Sequence, residues 1–120
     1  GRTFATVNKR EFSGTVTLDG TDSSTWVKVQ DGDGDTVLAN RSLVEATVVL
    51  SQQLYAIYRV IKLGDTGVDG GGLLSEKRNT GTYSQPLEIR INGTDLEMRS
   101  AADLAAWRGV TLQVDVTRYQ

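Results

Sequence analysis

Apolar and polar residues alternate along most of this chain, the pattern of strands with one buried face. Phe4, Thr6 and Val7 open an extended stretch that resumes at Gly14-Thr15-Val16-Thr17-Leu18. The polar, turn-like run Asn8 to Ser13 between them predicts an N-terminal β-hairpin. Thr25 to Val29 alternates again, and Asp31-Gly32-Asp33-Gly34-Asp35 then reads as a turn cluster. Leu43 to Leu50, rich in Val and Thr, and Leu54 to Leu63, dense in Tyr, Ile and Val, predict two strong strands joined by Ser51-Gln52-Gln53. Gly64 to Thr80 carries Gly64, Gly67 and Gly70 to Gly72 without a period, and reads as a long loop, functional or mobile. In the segment Tyr83 to Asn92, Leu87, Ile89 and Ile91 alternate with Glu88, Arg90 and Asn92.

The period then changes. Thr94-Asp95-Leu96-Glu97 has the spacing of a capping box, Met98 to Trp107 is rich in Ala and Leu, and Gly109 sits where a glycine ends a helix. A helix is therefore expected over 94–107, with Asp95, Arg99 and Asp103 on one stripe and a wide apolar face elsewhere. Val110, Leu112, Val114 and Val116 alternate with polar residues as a last strand. The expected class is α+β: an N-terminal hairpin and an antiparallel sheet, followed by a C-terminal helix and a final extended segment.

Composition narrows the chemistry. A chain of 120 residues with 38% hydrophobic and 23% charged residues suits one folded domain, and no run is long and apolar enough for a membrane helix. No basic stretch followed by an apolar run opens the sequence, so no secretory leader is expected. Cys 0 removes disulfides, thiolate metal sites and cysteine nucleophiles; His 0 removes the usual triads and imidazole bases. Thirteen basic against 15 acidic residues give a net charge of −2, so nothing draws the whole molecule to nucleic acid. Nine of the basic residues are Arg, the better bidentate phosphate ligand, so any RNA site must lie on one face.

Each motif has a plain reading beside its chemical one. Asp31 to Asp35 could offer oxygen ligands to calcium, but the EF-hand positions for Gly and Glu hold Thr36 and Ser42, and Asp-Gly pairs favour turns. Asn40-Arg41-Ser42 and Asn92-Gly93-Thr94 match the glycosylation sequon, a pattern short enough to arise by chance. Gly70-Gly71-Gly72 lacks the Lys and spacing of a phosphate loop. Nothing sets Glu88 and Asp95 at the separation of a glycosidase pair. Tyr55, Tyr58 and Tyr83 on strands are more often core or interface aromatics than base-stacking platforms. Arg59, Lys62 and Arg90, cations within strands, face water, a partner or a polyanion.

The order of these elements resembles the coat protein of single-stranded RNA bacteriophages over residues 3–108. Phe4 to Val29 resembles the hairpin and following strand of that family, Asn40 to Leu63 its paired central strands, Gly64 to Thr80 its glycine-containing loop, Tyr83 to Asn92 its last sheet strand and Thr94 to Trp107 its first helix. The family closes with a second helix, where 110–116 here reads as a strand. The resemblance implies one coat-like domain over 1–120 with no enzymatic activity, cofactor, metal, membrane or small-molecule substrate. It implies a homodimer that builds an icosahedral shell in the host cytoplasm and becomes part of the virion. An RNA hairpin of the genome would lie on the inward sheet face. On alternation grounds that face takes Thr47, Tyr58, Lys62, Glu88 and Arg90, with Lys62 preferred to Arg59 because Tyr58 shares its side. The alternatives are a sugar-binding β-sandwich of a phage fibre or spike, with Trp26 and Tyr83 as platforms, and a capsid decoration protein.

Overall fold

The computed structural model describes residues 9–32, 41–64 and 66–120. Among these the chain forms strands β1 (Lys9–Thr17), β2 (Val27–Lys28), β3 (Gln30–Asp31), β4 (Ser42–Leu50), β5 (Leu54–Lys62), β6 (Val68–Gly70), β7 (Gly72–Arg78), β8 (Leu87–Asn92), β9 (Asp95–Ser100) and β10 (Thr111–Tyr119). One short 3-10 turn spans Ala105–Trp107. The strands make two antiparallel sheets, one in the order β3-β1-β10-β4-β5-β7 and one in the order β2-β9-β8-β6. Their inner faces enclose a single core that includes Val48, Leu54, Ile89, Leu96, Met98 and Val114. Alternation sets which residues enter it: in β5, Leu54, Ala56, Tyr58, Val60 and Lys62 point inward while Tyr55, Ile57, Arg59 and Ile61 point out.

The α+β class and its C-terminal helix are corrected by the structure, which is antiparallel β almost throughout. The residues expected to start the helix form β9 instead. Asn92 pairs with Asp95 across a two-residue turn in which Gly93 has φ +63, so Asn92-Gly93 makes a hairpin. Leu96 and Met98 are fully buried as alternate residues, while Asp95, Glu97 and Arg99 line the other side. Magnitudes explain the outcome. Helix propensities differ by tenths of a kcal/mol per residue, whereas burying one Leu or Met side chain is worth roughly 1.5–3 kcal/mol.

Beyond β9 the chain closes the sandwich end through polar contacts. The Ser23 and Ser100 hydroxyls lie 2.7 Å apart, and the Asp103 carboxylate accepts the Ser23 amide at 2.9 Å and Arg108 Nε at 3.0 Å. Trp107 is buried against the Tyr83 ring, centroids 4.2 Å apart, and donates its indole N–H to the Gln85 carbonyl at 2.8 Å. Gly109, with φ +71, does end a helical turn, but a 3-10 turn.

Two other expectations change. The predicted hairpin loses its turn: Lys9 to Thr17 is continuous strand, and its main partner is β10, from Lys9↔Tyr119 to Thr17↔Thr111. The segment Phe4 to Val7 lies outside the described residues, as do Asp33 to Asp35, while Asp31 ends β3. The glycine-rich stretch is not a loop throughout, because it contains β6 and β7. Between them the chain passes from the second sheet to the first at Gly71, whose amide donates to the Ile89 carbonyl at 2.9 Å. A Cβ there would collide with Cγ2 of Ile89 and lie 2.6 Å from Cγ2 of Val60.

Gly71→Ala should therefore lower stability by about 1–3 kcal/mol, the usual cost of overpacking. Gly70→Ala, with nothing within 4 Å of the added carbon, should change it far less; paired urea melts measure both. The Arg108 hydrogen bond, and next the Ser23 amide, hold the Asp103 carboxyl well below the usual carboxylate range. Its stabilising contribution is complete above the unfolded value near 3.9 and is lost as pH falls below it. The difference in melting temperature between the native protein and Asp103→Asn should therefore shrink as pH drops from 6 to about 3.

Candidate functional site

The five residues assigned to an RNA face occupy three different places. Thr47 is exposed on the outer side of the six-stranded sheet, on the same side as Glu45 as expected. Tyr58 and Lys62 do share a side, but it is the inner one. Glu88 and Arg90 stand on the outer side of the four-stranded sheet, with the core between them and Thr47. The geometry thus brings together two pairs and no common surface. Arg59, set aside in favour of Lys62, is the cation of β5 that reaches water, where it meets Glu45 at 3.3 Å.

Lys62 is fully buried, and its ammonium donates to the carbonyls of Gly67 at 2.9 Å and Thr66 at 3.4 Å, with Asp69 Oδ2 at 3.5 Å. It pins the turn before β6 to the end of β5. Lys62→Ala leaves those acceptors without their donor and opens a cavity, so stability should fall by roughly 2–4 kcal/mol in denaturant titrations. Tyr58 is buried as well; burial, and then the charge of Glu76, raises its phenol above the ordinary range. The Tyr58 hydroxyl and Glu76 Oε2 are both buried without a hydrogen-bond partner.

The outer side of the four-stranded sheet is charged but balanced. Arg99 Nε donates to Glu88 at 3.0 Å, Arg90 Nε to Glu97 at 2.7 Å, and Lys28 lies 3.3 Å from Asp95. Trp26 lies across this array with the guanidinium carbons of Arg90 and Arg99 at 4.1 and 4.3 Å from its ring centroid. A polyanion approaching these cations would meet the carboxylates already paired with them. Arg99 is the residue the sequence reading missed here. Its signal was the two-residue period of Asp95-Leu96-Glu97-Met98-Arg99, overlooked in favour of a helical stripe.

A different surface stands out by its apolar content. Tyr55, Ile57 and Ile61 on the outer side of β5, with Leu63 beyond it and Leu73 and Leu74 on β7, are 41–81% exposed. Among the described residues β7 pairs with β5 on one side and with no strand on the other. A register shift between Ile57 and Tyr58 places a bulge beside Leu73 and Leu74. Comparison with known protein families, characterised proteins and solved structures finds no match.

Proposed function

We propose that this chain is a non-catalytic building block that works by self-association, a coat-like subunit of a virion shell whose copies join through sheet edges. The observation that carries the proposal is the unequal length of the sheet edges among the described residues. β3 and β2 are two residues long and β6 is three, whereas β7 is seven. Short edges are a common protection against unwanted pairing, and a long open one is a template for another strand. The Glu76–Arg78 pair and the bulge protect part of β7, while Leu73 and Leu74 leave the rest of that edge apolar. Among the described residues the helical clasp of the coat family has no counterpart, so cohesion comes from ladder hydrogen bonds and the apolar side chains of that edge. Genomic RNA is treated as cargo, since Tyr58 and Lys62 point inward and Glu88 and Arg90 are already paired.

Expressed alone, the protein should sediment as a dimer or larger particle at micromolar concentration, and electron microscopy should show closed shells. Leu74→Lys, which places a charge on the open edge, should return it toward monomer with stability changed by no more than about 0.5 kcal/mol. A monomeric native protein would overturn the proposal; a discrete trimer without shells would favour a fibre or spike subunit instead.

A further inference from the structure

The change of sheet at Gly71 leaves a cleft in the side of the molecule. β6 stops at Gly70, opposite Arg90, so among the described residues the Leu87–Glu88 half of β8 has no strand on that side. β7 continues in the other sheet, and the gap between them encloses about 340 Å³. Leu87, Ile89, Leu73 and the Tyr58 ring give it apolar walls, and Trp26, Arg90, Arg99 and Glu88 stand around it. That volume lies at the small end of the roughly 300–1,000 Å³ typical of small-molecule sites.

We propose that this cleft binds a neutral saccharide unit. Its charges are already balanced, Arg99 by Glu88 and Arg90 by Glu97, so an anionic ligand meets the Glu88 carboxylate at the rim and a cationic one meets two guanidinium groups. A neutral ligand pays neither penalty. Both arginines spend Nε on their carboxylates, through Oε1 of each glutamate, which leaves their terminal N–H groups as donors. Trp26, held by two guanidinium groups, supplies a fixed aromatic surface. Donors, an acceptor and an aromatic surface beside apolar walls match a sugar ring, with its apolar C–H face and hydroxylated rim. Leu73 lies both in this cleft and on the open edge of β7, whereas Trp26, Glu88, Arg90 and Arg99 belong to the four-stranded sheet and the residue before it, so the inference does not depend on self-association.

Trp26 also reports on the site, because the other tryptophan, Trp107, is buried in the core. The test is a titration of the whole protein, followed by Trp emission, with methyl glucoside, methyl galactoside, maltose, cellobiose, lactose and chitobiose. Dextran and soluble starch form a second arm, which separates recognition of a free unit from recognition within a polymer. Glucuronate and glucosamine are the charged controls. At least one neutral compound should change the emission saturably, and Trp26→Ala, followed by calorimetry, should weaken its binding about tenfold, as expected for a lost aromatic contact. Gly70→Leu should abolish binding while the melting temperature holds, because a side chain there starts in open space at the mouth. The inference fails if no neutral saccharide in either arm perturbs Trp26, if Gly70→Leu binds as the native protein does, or if a charged control binds more tightly than every neutral one.

Discussion

Two sheets of unequal width facing each other impose the constraint on which the rest of this molecule depends. Six strands cannot be covered by four. Where the two sheets face each other, the inward positions are mostly Val, Ala, Leu, Ile and Met, with Tyr58. Toward the margins of the wider sheet they become charged: Lys62 at the end of β5, Glu76 and Arg78 on β7, and Arg118 opposite Val44. An inward charge is costly unless something polar meets it. Lys62 is met by the turn before β6, and Arg78 by Glu76 and the Tyr83 carbonyl. Connections that look incidental in the sequence are thus the covers of the overhanging sheet.

Strands with a clean two-residue period and a buried face were legible in the sequence. β4, β5, β8 and β10 all fall where alternation placed them. The errors have physical causes. Asp95 to Ser100 combines good helix formers with a two-residue period, and only contact with Ile89 and Val27 across the sheet decides between them. β7 was hidden because the inward positions Glu76 and Arg78 are charged and leave no apolar alternation to read, and the glycines before it suggest a loop. Lys62 was correctly grouped with Tyr58, but a period gives the side and not which side is buried. Alternation alone could not show that a lysine faces the interior, because the carbonyls that stabilise it come from Thr66 and Gly67, outside any periodic element. The Trp26 array was equally invisible, since it joins positions more than sixty residues apart.

The unpartnered oxygens of Tyr58 and Glu76 sit where β5 meets β7. Each buried polar group left unpaired costs about 1–3 kcal/mol, and two of the three such atoms among the described residues lie beside the least supported long strand, the third being Arg118 Nε on β10. β7 has a bulge, few buried side chains and one neighbour, the features of a segment that opens before the rest. By contrast β10 is held from both sides, by β1 and β4. The molecule therefore has a graded stability across its wider sheet, firm at β10 and loosest at the strand that carries the open edge.

The pairing of β1 with β10 also determines how the domain would respond to tension. Lys9 and Tyr119 are direct partners at one end of that ladder. Traction applied to these two residues would load the hydrogen bonds one rung at a time, peeling from Lys9↔Tyr119 toward Thr17↔Thr111 and never shearing the whole set together. Tethered at both residues, the domain would yield at low force and take up slack as a shock absorber does. Pulled instead between Lys9 and a residue on the far margin of the wider sheet, it would resist as a unit.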